Sequence, residues 1–357
     1  MDYFEVREGF ESIRGMEDIT ALRTMSGPTV FHIPGRDRAR AVLVSTLIHG
    51  TEPAGFHALQ KEAAFDPRVL DYGCDVYFLV GSPQAALTEK EGLFFQHRDI
   101  PGAPREGQWD MNRLWGTIPH PALETTDIGI RLSRTGQDLS RYFSGLPLRG
   151  FLDIHSYMSP LIQPHGCIPH TEARTIELMK KLAPRAFVVD FGLGTLLERM
   201  GQQTTSVLIE SGVNGSAAAD DYAYTSLQTF FEDMNVTPGV EAPQLCKSWY
   251  NQGIQFKVRH DATVAFGSFA GISPDLVVRG DIESLNHREL VEGTDLGVAR
   301  SLDVIHTDDA QGRKVEDYFY LEGERLRVRR RVVPNFLNKH EARMKGGGFY
   351  FFQGFTP

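Results

Sequence analysis

The chain alternates between two textures. Ala41–Ile48 (AVLVSTLI) is an unbroken apolar, β-branched run, the pattern of a strand buried on both faces. A Pro34-Gly35 turn precedes it, and Pro53–Ala64 follows with helical spacing, Pro53 suiting the first turn. The same sequence of elements recurs: strand Asp75–Val80, then a helix over Pro83–Glu91. Next come a Gly/Pro-containing loop Gly92–Trp115, a helix over Leu123–Tyr142 and strand Gly150–His155. Helix Glu172–Leu182, strands Ala186–Val189 and Thr205–Ile209, and helix Ala217–Met234 complete this part. Buried strands alternating with amphipathic helices predict an α/β domain whose sheet is mixed but largely parallel. Around Asn235–Pro243 the pattern changes to short alternating strands and Gly-rich turns. The expected organisation is an α/β domain over residues 1–240 and a smaller, mostly β domain over 241–357.

Composition adds exclusions. A formal net charge of −9 argues against nucleic acid or an anionic membrane as the main partner. The local exception, Arg325, Arg327, Arg329, Arg330 and Arg331, reads as a solvated strand face. Three widely spaced cysteines, Cys74, Cys167 and Cys246, form no CxxC pair and no disulfide framework. The opening MDYFEVREGF lacks a signal-peptide core, and no apolar run is long enough to span a bilayer, so a cytoplasmic protein is expected. Oligomeric state stays open.

The chemistry collects where strands end, at the carboxyl edge of an open α/β sheet. His49 and Glu52 follow the first strand in LIHGTEPAG, and His155 ends another in FLDIHSY. Two imidazoles and a carboxylate leave one position of a tetrahedral zinc ion open, as catalytic sites do. That position suits a water whose pKa the metal lowers. Alone, His-x-x-Glu is a weak signal, and His155 could equally be a satisfied core histidine. Their company raises the odds: a DMNR tetrapeptide lies between them, and a strand-end Glu210 (VLIESG) follows.

Together, His49-x-x-Glu52, Asp110-Met-Asn112-Arg113, Asp153-Ile-His155 and Glu210 resemble the zinc carboxypeptidase superfamily. Within it they are most similar to the succinylglutamate desuccinylase/aspartoacylase family, across about Ala41–Asp233. The segment DIHSYMSPLIQPHG also resembles true metallocarboxypeptidases. Two features favour the acylase branch: a short interval from His155 to Glu210, and no tyrosine between Tyr157 and Tyr222 where carboxypeptidases carry their substrate-loop tyrosine. The long stretch after Glu210 also resembles the acylases' C-terminal β domain, which in that family narrows access to the site.

The resemblance implies one zinc per chain on His49, Glu52 and His155, with Glu210 as general base and later acid. It implies that Arg105 polarises the scissile carbonyl, that Asn112 and Arg113 hold a substrate carboxylate, and that Asp110 orients His49. The implied reaction is hydrolysis of the amide bond of a small N-acyl amino acid or acylated amine. The rival readings are a carboxypeptidase acting on short peptides and a non-catalytic binding homologue. Departures from the family are Thr51, where the usual residue is Asn, and the lack of secure counterparts for the groups that grip a dicarboxylic acyl chain, Arg199 being one candidate. His57, His97, His165 and His170 are read as surface or pocket-wall residues.

Overall fold

The structure is a computed structural model that describes residues 4–64, 71–87, 111–116, 127–157, 159, 161–190, 192, 194–238, 243–267, 274–307, 309, 311–346 and 348–357. The chain divides into two compact units. Unit 1 comprises Met1–Met158, Pro164–Ala186 and Gly192–Lys247; unit 2 comprises Ser159–Gln163, Phe187–Phe191 and Ser248–Pro357.

Unit 1 begins with β1 (Glu5–Glu8), α1 (Asp18–Arg23), β2 (Thr29–Ile33), β3 (Asp37–Thr46), α2 (Ala54–Ala63), β4 (Cys74–Val80) and α3 (Pro83–Leu87). It continues with α4 (Asp127–Ser144), β5 (Leu148–Tyr157), β6 (His165–Ile168), α5 (Ala173–Leu182), β7 (Arg185–Val188, of which Phe187 and Val188 fall in unit 2), α6 (Leu196–Gly201), β8 (Thr205–Val213) and α7 (Ala217–Asp233). Seven strands lie side by side in the order β1-β2-β4-β3-β5-β8-β6. The pairs β1–β2, β3–β4, β3–β5 and β5–β8 are parallel; β2–β4 and β6–β8 are antiparallel. The sheet is mixed and largely parallel, as its apolar strands require.

Alternation along β5 sorts the two faces. Ile154 faces α2, where Gly55 lets the helix approach so closely that an added Cβ would lie 3.0 Å from the Ile154 Cβ. Phe151 points the other way, into a buried cluster with Leu43, Leu139, Phe143, Leu196 and Met200 from β3, α4 and α6. Asp153 and His155 share the Phe151 face, so the candidate chemistry lies on the α4/α6 side.

The structure adds elements with little sequence signal. Strands β1 and β2 and helix α1 precede the first expected strand, and β6 and α6 lie between expected elements. Both β6 and α6 are short, and their patterns hide among Gly and Pro residues. The strand expected to reach Ile48 stops at Thr46, because Leu47 takes a positive φ of 49° that ends the pleat.

Unit 2 holds a five-stranded sheet ordered Val264–Phe266, Leu276–Val278, Asp295–Ala299, Arg325–Val328, Phe319–Glu322. Ser248–Val258 pairs antiparallel with Phe349–Phe355. Its core includes Phe256, Phe319, Phe349 and Phe351. The arginine-rich strand is neutralised locally: Arg325 pairs with Asp295, Arg327 with Glu322 and Arg331 with Glu289, while Arg329 and Arg330 stack over Tyr320 and Tyr318.

One tertiary contact in unit 1 titrates. His57 on α2 binds Asp18 of α1 at 2.7 Å and Asp220 of α7 at 2.9 Å. The hydrogen bond to Asp18 raises the imidazole pKa, burial opposes it and Asp220 adds to the rise, giving about 9. An unfolded histidine titrates near 6.5. The stabilisation is therefore complete below about pH 6.5 and is lost as pH rises through about 9. His57→Gln should narrow its melting-temperature deficit against wild type between pH 6.5 and 9.5. A constant deficit would show that His57 contributes packing rather than charge.

Candidate functional site

The ligand loop leaves β3 through a strained corner. After Leu47, the Leu47 carbonyl accepts from the Ser82 amide at 2.8 Å, and Ser82 Oγ donates to the Ile48 carbonyl at 2.8 Å. The Glu52 amide donates to the His49 carbonyl at 3.1 Å, closing the turn that brings both side chains to one side. Gly50 is required inside it, since a Cβ there would lie 2.6 Å from the Ala85 backbone of α3.

Strand register builds the rest. Paired residues on neighbouring strands project to the same face. His155 pairs with Glu210, and Glu210 pairs with His165, making one row across β5, β8 and β6. Two positions back, Ser45, Asp153, Leu208 and Cys167 form a second row. All three members of the first row are buried, His165 completely.

His49, Glu52 and His155 each offer a ligand atom, all within 4.8 Å of one another. His49 Nδ1 lies 3.0 Å from Glu52 Oε1, and His155 Nδ1 lies 2.7 Å from Glu52 Oε2. The rings stand 4.9 Å apart, nearly edge to face. Two imidazole nitrogens and a carboxylate converging on one point are a donor set that fits zinc. Behind His155, its Nε2 is 3.2 Å from Asp153 Oδ2.

Charge is concentrated in a dry place. Burial would raise the Glu52 carboxyl, but His49 and His155 outweigh it and hold the pKa at about 2. Burial would likewise depress His155, yet Asp153 and Glu52 hold it well above the usual imidazole range. Glu210 goes the other way: burial lifts it to about 8, with Glu52 and Asp153 adding to the rise and the two imidazoles pulling against it. Glu210 Oε2 is buried and has no hydrogen-bond partner among the described residues. An unpartnered buried carboxyl oxygen typically costs about 1–3 kcal/mol.

The other residues that the sequence singles out fall in several places. Asn112 and Arg113 occupy a 3₁₀ turn, Met111–Arg113. Asn112 Oδ1 accepts from the Leu196 amide at the head of α6 at 3.0 Å, and Arg113 Nη1 donates to the Asn112 carbonyl at 3.0 Å. Arg105, Asp110 and His97 lie outside the described residues. Arg199 braces helices: its Nε donates to Ser140 Oγ at 2.8 Å and its Nη2 to Ser144 Oγ at 3.3 Å, both on α4. His170 engages the Gly201 carbonyl at 2.9 Å. The Thr51 hydroxyl is buried without a hydrogen-bond partner among the described residues.

Two residues of this site carry no role that the sequence alone assigns. Asp153 sits two positions before His155, and the i, i+2 spacing on a strand is the available signal. Ser45 has none, because its partner lies 108 positions away.

No protein-family model and no curated protein matches the chain by sequence. Solved structures do match. Succinylglutamate desuccinylase from Vibrio cholerae has a TM-score of 0.55 at 14% identity, covering 92% of this chain and 98% of that one. Product-bound ectoine utilization protein EutE (DoeB) from Ruegeria pomeroyi scores 0.53 at 15% identity, covering 92% and 88%. Succinylglutamatedesuccinylase/aspartoacylase from Rhodobacter sphaeroides scores 0.51 at 15% identity, covering 85% and 82%. At such identities the likeness speaks to architecture, and the agreement runs over most of each chain. The protein has the fold of the succinylglutamate desuccinylase/aspartoacylase structures.

Proposed function

We propose that this chain is a zinc-dependent amidohydrolase that cleaves the amide bond of a small N-acyl amino acid or related acylated amine. The observation that carries the reading is the buried, unpartnered Glu210 Oε2 in the row next to the His49, Glu52 and His155 cluster. A pure metal-binding or structural site has no use for a spare carboxyl there.

His49, Glu52 and His155 would hold one zinc per chain. When bound, the ion supplies a Lewis acid and lowers the pKa of water towards neutrality. Its positive charge favours the ionised form of Glu210 over the neutral form that burial favours. Glu210 then takes a proton from the attacking water and delivers it to the leaving nitrogen as the carbon–nitrogen bond breaks. The products are the free acid and the free amine. Asp153 keeps the His155 ring turned so that Nδ1 faces the cluster.

In the same reading Arg105 polarises the scissile carbonyl and Asp110 steadies His49. Arg113 and the Asn112 amide group receive the carboxylate of the amino-acid half; Asn112 Oδ1, bound to the α6 head, takes no part. Residues 1–240 would form the catalytic domain and 241–357 a mostly β domain. No helix among the described residues is long and apolar enough to cross a membrane, and we place the enzyme in the cytoplasm, acting on small acylated metabolites.

The test is zinc content together with turnover on a panel of N-acyl amino acids, each paired with its neutral carboxamide. Purified protein should carry close to one zinc and prefer the free carboxylates. A charge-assisted contact is worth about 1.5–3 kcal/mol, so the preference should be roughly 10- to 150-fold and should collapse in Arg113→Lys. Equal rates across the pairs would remove Arg113 from substrate binding and the N-acyl amino acid from the reading.

A further inference from the structure

A buried serine on a central strand needs an explanation. In β3, Ser45 follows Ala41, Val42, Leu43 and Val44, all fully buried, and is itself fully buried. An unpaired hydroxyl in such a place is costly. Ser45 Oγ donates to Asp153 Oδ1 at 2.5 Å, across the pairing of β3 with β5. Asp153 is also fully buried, and its second oxygen, Oδ2, is the one 3.2 Å from His155 Nε2. Oδ1 of this carboxylate thus accepts from a hydroxyl, and Oδ2 faces a candidate metal ligand.

Carboxylates rotate about the bond to their Cβ, and that torsion is broad. A carboxylate held only through Oδ2 would leave the imidazole free to turn with it. Held at Oδ1 as well, it has one orientation, which keeps Oδ2 beside the Nε2 edge of the His155 ring. Nδ1, 2.7 Å from Glu52 Oε2, is then the ring nitrogen left to hold the ion. The packing around it is fixed too, since the His155 carbonyl accepts from Ser211 Oγ at 2.9 Å.

We infer that Ser45 is a positioning residue for the metal centre, acting through Asp153 to set the tautomer and orientation of His155. This rests on the reading of His49, Glu52 and His155 as zinc ligands. A role confined to satisfying a buried carboxylate would affect stability alone. A positioning role also changes how tightly the cluster holds its ion, because outer partners of metal-bound histidines typically contribute about 10–100-fold in affinity.

The experiment measures zinc affinity of the full chain by competition with a chromogenic chelator, for wild type, Ser45→Ala, Ser45→Cys and Ser45→Thr. Melting temperatures of the zinc-free proteins are recorded alongside. Ser45→Ala and Ser45→Cys should bind zinc about tenfold more weakly, cysteine because it keeps the size but is a poor donor. Ser45→Thr keeps the hydroxyl and should stay within a fewfold of wild type. If either alanine or cysteine variant folds and holds zinc as tightly as wild type, the inference is overturned, whatever its melting temperature. A wild-type protein that takes up no zinc overturns the reading of the site and this inference with it. Wild-type uptake matched by the variants overturns this inference alone.

Discussion

Glu210→Gln should leave zinc content and substrate affinity near wild type while turnover falls by roughly 10²–10⁴-fold, the usual contribution of a general acid–base group. The substitution keeps size and shape and removes basicity. Glu210 lies on β8 between His155 and His165, so the variant retains the row and its burial. It should even fold more stably, because a neutral amide escapes the penalty of a buried ionisable group whose neighbours include Glu52 and Asp153. Single-turnover kinetics with a substrate that the wild type hydrolyses would separate binding from chemistry. An unchanged turnover number would reject the assigned role, and zinc loss in the variant would make Glu210 a support for the cluster instead.

His155→Ala should lose most of its zinc. The ring supplies one of three ligand atoms, so the loss should exceed the about 10–100-fold typical of outer partners. It also strands two carboxylates. Glu52 loses the 2.7 Å contact that helps hold it ionised, and Asp153 loses the imidazole 3.2 Å from its Oδ2. Breaking a buried ion pair by removing one partner typically costs about 3–5 kcal/mol, so the variant should also melt at a markedly lower temperature. Elemental analysis and a thermal scan on the same preparation check both parts. Full zinc retention would remove His155 from the ligand set and leave the cluster a structural ion-pair network.

Much of the site can be read from local order. His49 and Glu52 follow a buried apolar run and His155 and Glu210 close one, although β5 and β8 themselves continue to Tyr157 and Val213; such positions near the carboxyl edge of a parallel sheet converge. Three of these four are therefore placed by hydrophobic pattern alone, and Glu52 by its three-residue spacing from His49. The α/β alternation up to Asp233 is legible for the same reason: burial on both faces demands continuous apolar runs, and the helices that cover them carry a periodic stripe.

What the pattern could not supply was lateral order. Nothing in HGCI marks it as a strand that runs antiparallel beside β8 and sets His165 against Glu210. Nothing in VLVST says that its serine will meet an aspartate 108 positions later. Arg199 has the charge expected of a substrate-gripping group, yet the packing of α6 on α4 commits it to Ser140 and Ser144. Strand identity depends on which residues lose contact with water, which a single chain records in its apolar periodicity. Strand neighbours, register and the fate of each polar head depend on contacts between distant segments, and those are decided only when the sheet assembles.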